Sequence, residues 1–346
     1  MRSALPKPAH RLCGRPMVSY GIDALGEVGC SKVVVVVGHG AERVRQAVSD
    51  HKPDTVDAQF ALQATQRGTG DATQVGLDGF TSAELDDDQA LLLVLPGDQP
   101  LVRGDTIAAL VATHVESGAA ATILTALVPD ATGYGRVIRG DDGKVLRIVE
   151  HKDASAGELA VNEINTSIYC FNRSLLGPAL RRVTPDNAQG EYYLTDVVSV
   201  LREAGYSIAA HPGDPDEMQG INDRAQLSSA EAVLRRRINE DWLRRGVTIV
   251  DPEATYIDGT VELGEDVTVF PGALIQGRSV IGAGTSIGAG SHLVDTVVGA
   301  RCRLESTRAH GASIGDDARV GPFAALEPGD EIADGTVTGP HYSQPS

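Results

Sequence analysis

The sequence predicts an α/β domain over residues 1–225, a connecting helix over residues 226–246 and a short parallel β-helix over residues 247–346. Two patterns lead to this prediction. Apolar runs of strand length alternate with helical patterns in the first part of the chain, and the apolar period then changes to six residues. A length of 346 residues also exceeds the usual size of one domain, so two cores are expected.

The α/β prediction rests on buried strands that follow helical segments. Residues 17–28 carry apolar side chains at helical spacing, and an unbroken β-branched run follows at residues 33–37. Such a run is typical of a parallel strand that is covered on both faces. The runs at residues 90–95 and 121–128 repeat the pattern. We therefore expect a Rossmann-like doubly wound sheet, in which ligands bind beyond the carboxyl ends of the strands.

The connecting helix is predicted by apolar residues at helical spacing and by a glycine that can end it. Gly246 is that glycine. The apolar residues are Leu227, Val233, Leu234, Ile238 and Trp242.

Beyond the helix, an apolar residue recurs every six positions from Ile257 to Leu293, and after a slip the repeat resumes from Ile314 to Ile332. A helix or a half-exposed sheet does not explain a strict period of six, whereas a β-helix with three short strands in each triangular coil does. Residues 257–332 predict about four coils, stacked as a solenoid.

Charge and composition exclude several classes of function. The net charge of −17 argues against nucleic acid and anionic membranes as partners, because both require a basic surface. The longest apolar runs have only strand length, so we expect no signal peptide, no membrane span and a cytoplasmic location. The four cysteines lack metal-binding spacing. The N-terminal end is nevertheless basic, which predicts a site for an anionic ligand.

Asp98 is the first candidate for chemistry. It follows a predicted buried strand in the segment LPGDQPL. A carboxylate at that position can bind Mg²⁺, which prefers oxygen ligands and commonly uses only one or two protein carboxylates. The alternative is an ordinary turn aspartate after glycine.

A series of short segments resembles the sugar nucleotidyltransferases. In chain order the segments are MRSALPK, LQATQRGTGDA, LPGDQPL, TGYGR, IVEHKDA, EINTSIY, NAQGEYYLTD and GIND. The resemblance is greatest to the bifunctional N-acetylglucosamine-1-phosphate uridyltransferase/glucosamine-1-phosphate acetyltransferase family, and it continues into the helix and the six-residue repeat. Taken singly, each segment has a simpler explanation: Glu150 could end a solvated strand, Asn165 could form a turn, and Gln63 could be an ordinary polar residue.

The resemblance implies a role for each matching residue. The implied nucleotide-binding residues are Lys7, Gln63, Gly68 and Thr69, and the implied sugar-binding residues are Gly135, Glu150, Asn165, Tyr193 and Thr195. Asp98 and Asn222 are implied as Mg²⁺ ligands, and Arg2 and Lys7 as catalytic cations.

The implied reaction joins UTP and N-acetylglucosamine-1-phosphate to give UDP-N-acetylglucosamine and pyrophosphate. The attacking phosphate oxygen is ionised at neutral pH, so the site must align two polyanions rather than remove a proton. Mg²⁺ with Arg2 and Lys7 would neutralise the phosphate oxygens and hold them for in-line attack.

Two departures from the family pattern limit this expectation. The first seven residues resemble the second half of the family's glycine-rich loop, so we expect its first half and the first strand to be missing and this chain to have low activity. The segment at residues 323–329 has Ala325 and Glu327 where the family has arginines. Together with the early end of the chain, this predicts no acetyl transfer, and we expect the coils to assemble a homotrimer.

Two alternatives remain open from the sequence. One is a non-catalytic relative that acts as a regulatory or scaffold subunit. The other is an enzyme that transfers a thymidylyl or guanylyl group to another hexose-1-phosphate.

Overall fold

The computed structural model describes residues 1–85 and 90–343, which form two compact units. The first unit comprises Met1–His10 and Pro16–Asp223. The second comprises Arg11–Arg15 and the chain from Arg224 onward. Each unit has its own hydrophobic core. A short hairpin of β1 (Arg11–Leu12) and β2 (Arg15–Pro16) marks the place where the chain first changes unit.

The first unit alternates helices with strands, as the sequence predicts. Its elements are α1 (Met17–Glu27), β3 (Lys32–Val37), α2 (Ala41–His51), β4 (Asp57–Leu62), α3 (Thr69–Leu77), α4 (Ser82–Leu85), β5 (Leu91–Val94), α5 (Gly104–Ser117), β6 (Ala121–Leu127), β7 (Arg136–Arg139), β8 (Val145–Val149), α6 (Ala156–Leu159), β9 (Glu163–Asn172), α7 (Arg173–Leu180), α8 (Asp196–Glu203) and β10 (Ile208–Pro212).

These strands form two sheets. Five strands of the larger sheet lie in the order β10, β6, β9, β7, β8, and β5 pairs with β9 as its sixth strand. β10 is parallel to β6, whereas β9 is antiparallel to β5, β6 and β7. The smaller sheet is the parallel pair of β3 and β4, in register from Lys32 opposite Asp57 to Val37 opposite Leu62. The α/β class is confirmed, but the sheet is mixed and divided.

A cleft of about 940 Å³ lies between β3 and β5 and is lined by every residue of both strands. Residues of α1 and α3 complete its walls. The sequence predicts that β3 is covered on both faces, yet within it only Val37 is fully buried. The difference arises because one edge of β3 faces this cleft instead of a neighbouring strand.

The second unit begins with α9 (Arg224–Arg244) and continues as a parallel β-helix. Its strands are β11 (Thr248–Ile249), β12 (Tyr256–Ile257), β13 (Glu262–Leu263), β14 (Thr268–Val269), β15 (Leu274–Gln276), β16 (Val280–Ile281), β17 (Ser286–Ile287), β18 (His292–Val294), β19 (Val297–Val298), β20 (Arg303–Leu304), β21 (Arg308–His310), β22 (Ser313–Ile314), β23 (Arg319–Val320), β24 (Ala325–Leu326) and β25 (Glu331–Ile332).

Every third strand joins the same sheet, which gives three parallel sheets of five strands each. The solenoid therefore has five turns, and this agrees with the predicted left-handed β-helix. The sequence prediction of about four coils was wrong by one. Residues 257–332 already contain fourteen of the fifteen strands, because some steps are shorter than six residues, and β11, which carries Ile249, precedes the repeat.

The slip in the repeat corresponds to three shortened steps between buried residues. The steps from Leu293 to Val298, from Leu304 to Ala309 and from Ala309 to Ile314 are five residues long instead of six. Each shortened step turns through one residue in the left-handed region, namely Asp295 (φ 48°), Ser306 (φ 42°) and Gly311 (φ 59°). The tighter corners keep all of these apolar residues inside the solenoid.

Glycine is required where successive coils approach closely. A Cβ atom on Gly282 would lie 2.5 Å from the carbonyl carbon of Gly299 in the next coil. The glycines that follow many of the repeat positions therefore permit stacking. In the part of the chain that the structure describes, no helix is long and apolar enough to cross a membrane.

Candidate active site

Three of the candidate site residues lie just after strands of the first unit. Gln63 directly follows β4, Asp98 lies a few residues after β5, and Glu150 directly follows β8. Gln63 and Glu150 line the cleft between β3 and β5, as does Gly97, the neighbour of Asp98. The folded chain therefore gathers candidates from distant parts of the sequence around one end of the cleft.

The two candidate metal ligands lie together around the ammonium group of Lys7. Lys7 Nζ donates hydrogen bonds to the carboxylate of Asp98 and, at 2.7 Å, to Oδ1 of Asn222. The backbone N–H of Ile221 donates to the carbonyl of Asp98 at 3.0 Å, which ties the two segments together. A carboxylate oxygen and an amide oxygen thus converge on one cationic group.

This donor set fits Mg²⁺. Both atoms are hard oxygen ligands, and Mg²⁺ commonly takes one or two protein ligands and completes its shell with water and phosphate. Within residues 1–85 and 90–343, no group of three or more His, Cys, Asp or Glu side chains could hold a metal.

Arg2 does not join this cluster. It is exposed, and its backbone lies in the left-handed region with φ 46°. The ammonium group of Met1 donates instead to the backbone carbonyl of Asn222 at 3.0 Å. The structure therefore brings together Lys7, Asp98 and Asn222, and leaves the guanidinium group of Arg2 outside their hydrogen bonds.

The loop before α3 packs against a second predicted segment. Gly68 has φ 107°, and a Cβ atom there would lie 2.5 Å from the carbonyl oxygen of Tyr192. Gly70 N–H donates to that carbonyl at 2.7 Å, and Leu194 N–H donates to the hydroxyl of Thr69 at 3.0 Å. The side chain of Thr69 therefore connects two loops, a contact that sequence reasoning did not anticipate.

The candidate sugar-binding residues form a second group. Asn165 N–H donates to the carbonyl of Gly135 at 2.9 Å, and a Cβ atom on Gly135 would lie 3.5 Å from Oε2 of Glu150. The hydroxyl of Thr195 donates to Oε1 of Glu150 at 3.2 Å. The ring of Tyr193 is buried nearby, and its hydroxyl accepts from Gln189 at 2.9 Å. All five predicted residues are brought to one region.

Carboxyl groups set the electrostatics of this region. Burial raises the pKa of Glu150, and the nearby carboxylates of Asp196 and Asp153 raise it further, while the hydrogen bond from Thr195 opposes the shift. Burial and Asp153 also raise the pKa of Asp196. An acidic pocket of this kind suits the hydroxyl and amide donors of a sugar better than it suits phosphate.

Comparison with known proteins identifies the family of this chain. The nucleotidyl transferase family model matches residues 2–215. Three relatives are each described as a bifunctional protein GlmU. The relative from Caldanaerobacter subterraneus is 43% identical over 95% of this chain and 69% of its own length. The Streptomyces coelicolor relative is 44% identical over 96% and 68%, and the Listeria monocytogenes serotype 4a relative is 41% identical over 98% and 72%.

The chain belongs to the GlmU family. It is therefore a transferase with a nucleotidyltransferase domain.

Sequence reasoning missed two residues of this GlmU-family site. Gln99 is buried, and its amide donates to the carbonyl of Thr166 at 2.8 Å, which ties the Asp98 segment to the strand that carries Asn165. Asp71 lies in the first turn of α3 and accepts a hydrogen bond from Gln63 at 2.8 Å. Both lie beside predicted residues, but only the folded backbone shows where their side chains point.

Proposed function

We propose that this chain transfers a uridylyl group from UTP to N-acetylglucosamine-1-phosphate, which yields UDP-N-acetylglucosamine and releases pyrophosphate. The convergence of Lys7, Asp98 and Asn222 beside the cleft that Gln63 and Glu150 line is the observation that carries this proposal. The bifunctional relatives support it.

The proposed reaction depends on neutralising the charge of the phosphate oxygens more than on transferring a proton. Bound Mg²⁺ would neutralise phosphate oxygens, and Asp98 and Asn222 are the residues that would hold it. Lys7 supplies a second positive charge at the same place, where it can contact a phosphate oxygen as a point charge. These residues lower the repulsion between two anionic substrates and keep them aligned, which is how a positioned site accelerates phosphoryl-group transfer.

We propose that different groups of residues contact the nucleobase, the phosphates and the sugar. We assign the nucleobase to Gln63 and the loop at Gly68, and the phosphates to Lys7. Arg2 remains a candidate for the phosphates if its exposed side chain turns toward them. Glu150, Asn165, Thr195, Gly135 and Tyr193 are assigned to the sugar, because the acidic pocket offers acceptors to hydroxyl and amide groups.

Acetyl transfer is not part of this proposal. Ala325 and Glu327 stand where the family carries arginines, and the backbone N–H of Glu327 donates to the carboxylate of Asp330 at 2.8 Å. The segment is therefore locally acidic and poorly suited to a sugar phosphate. We propose that the solenoid serves assembly instead, as a homotrimer.

The test is a pyrophosphate-release assay on the purified protein, with UTP, N-acetylglucosamine-1-phosphate and Mg²⁺. We expect Mg²⁺-dependent turnover, and we expect Asp98→Asn to lower kcat by about 100-fold or more, because the substitution removes a charged metal ligand. Mn²⁺ binding, followed by electron paramagnetic resonance, should weaken in parallel while the melting temperature stays the same.

Asp141→Asn is the matched control, because Asp141 is an exposed aspartate on a turn away from the cleft. It should retain full turnover and Mn²⁺ binding. Turnover with TTP or GTP but not with UTP would show that the enzyme uses a base other than uracil. Absence of turnover with all three nucleotides would favour a non-catalytic relative.

A further inference from the structure

The side chain of Gln63 is held in one orientation. Its Nε2 atom carries two hydrogens and donates to Oδ2 of Asp71 at 2.8 Å and to the carbonyl of Gly68 at 3.3 Å. Both amide hydrogens are therefore used within the protein. The carbonyl oxygen, Oε1, is the atom that remains for a ligand, because no donor among the described residues contacts it.

Asp71 is itself held by its neighbours. Arg67 donates to the second carboxylate oxygen of Asp71 at 2.7 Å, one helical turn away. The guanidinium group of Arg67 also lies 5.9 Å from the centre of the Tyr192 ring. The side chain of Asp71 is only 12% exposed, so water competes weakly for it.

The chemistry of Asp71 dictates which way the amide of Gln63 faces. An ionised carboxylate accepts hydrogen bonds and donates none, so the NH₂ group of Gln63 must face it. Rotation of the amide by half a turn would place Oε1 against a carboxylate oxygen and would lose the hydrogen bond.

We propose that Asp71 is a positioning residue for base selection, one that makes Gln63 a hydrogen-bond acceptor toward the cleft. The inference rests on the proposed function, in which Gln63 reads the nucleobase. An acceptor at this point favours a base that presents a ring N–H, as uracil does at N3. It disfavours cytosine, whose N3 presents a lone pair, because two acceptors would then face each other in a desolvated site.

Removal of the carboxylate should relax this selection. With Asp71→Asn, the neighbouring side chain can either donate or accept, so only the longer hydrogen bond to the carbonyl of Gly68, at 3.3 Å, still opposes rotation of the Gln63 amide. A rotated amide presents its NH₂ group, which can donate to N3 of cytosine. We therefore expect Asp71→Asn to lower the UTP-to-CTP ratio of kcat/KM by about tenfold, the size expected when one opposed hydrogen-bond pair is relieved.

The experiment measures kcat/KM and calorimetric affinity for UTP and for CTP, in wild type, Asp71→Asn and Asp78→Asn. Asp78 is an exposed aspartate at the far end of the same helix and is the matched control, whose ratio should equal that of wild type. If the role of Asp71 were purely structural, Asp71→Asn would lower kcat/KM for UTP and for CTP by the same factor. The ratio would then be unchanged, which would overturn the inference.

Arg67→Met provides a second variant in case Asp71→Asn does not fold. Arg67 is 59% exposed, so its replacement should spare the fold while it releases Asp71. It should lower the same ratio by a smaller factor, and an unchanged ratio would again contradict the inference. Failure of wild type to bind or use UTP would refute the proposed function itself, whereas an unchanged ratio in an active enzyme refutes only the role of Asp71.

Discussion

Individual residues at this site perform more than one task. Lys7 contacts both candidate metal ligands, and the hydroxyl of Thr69 holds a neighbouring loop. Glu150 is part of an acidic group yet accepts a hydrogen bond from Thr195. Such overlap means that a substitution can change binding and stability together, and the two effects have to be measured separately.

Glu150 gives a prediction at this scale. Its pKa is raised in the folded protein, so the ionised carboxylate costs stability at pH values above that pKa, and the cost disappears as the pH falls and the group is protonated. Glu150→Gln keeps an acceptor for Thr195 but removes the charge. We expect it to raise the melting temperature by about 2 °C at pH 7.5.

The increase in melting temperature should shrink toward zero below pH 4.5, where Glu150 is protonated in both the folded and the unfolded protein. Calorimetric melting of wild type and Glu150→Gln across this pH range checks the sign. A variant that is less stable at pH 7.5 would show that the carboxylate stabilises the fold.

The same substitution should weaken the use of sugar phosphate, with little change in affinity for UTP.

Secondary-structure elements decide where the cleft lies. β3 pairs with β4 on one edge, β5 pairs with β9 on one edge, and the opposite edges of β3 and β5 face the cleft. By contrast, β6 lies between β10 and β9 and is paired on both sides. The backbone amides on the open edges of β3 and β5 therefore have less protection from hydrogen exchange than those of β6.

Amide hydrogen exchange should reveal this difference. In the 346-residue chain, we expect amides of β3 and β5 that face the cleft to exchange at least about tenfold faster than those of β6, because no ladder hydrogen bond protects them. Exchange followed by NMR resolves individual residues, and alternate amides of β3 that pair with β4 serve as the internal control. Equal protection of both sets would show that another segment pairs with these edges.

At the scale of the whole molecule, the two units differ in their chemistry. The first gathers candidate catalytic groups around a cleft, whereas the core of the second is a continuous apolar stack from Val247 to Ile332. The segment near Glu327 also carries the acidic residues Asp330 and Glu331. The second unit therefore offers an apolar core and an acidic surface segment rather than a cluster of candidate catalytic groups.

This contrast predicts no acetyl transfer from acetyl-CoA to glucosamine-1-phosphate. A dianionic phosphate near Glu327 would meet a like charge instead of two cations. A thiol-release assay should therefore give the no-enzyme rate under conditions that show uridylyl transfer. The double substitution Ala325→Arg and Glu327→Arg should increase calorimetric affinity for glucosamine-1-phosphate, and release of thiol by wild type would contradict the prediction.

The sequence by itself determined the α/β class and the six-residue solenoid, and it predicted candidate site residues, most of which the fold brings near one another, although it included Arg2 and missed Gln99 and Asp71. These features depend on local periodicity and on short segments such as LPGDQPL and EINTSIY, which can be recognised along a single chain. The number of coils was harder to predict, because three steps are only five residues long and because Ile249 lies outside the repeat.

Only the tertiary structure decided how these residues work together. The division of the sheet, the mixed strand directions and the contact of Lys7 with both Asp98 and Asn222 depend on pairings between segments far apart in the chain. The orientation of the Gln63 amide likewise depends on the carboxylate of Asp71 across a turn. Periodicity records which face of an element is buried, whereas the direction of a polar side chain is set by the partners that folding brings within hydrogen-bond distance.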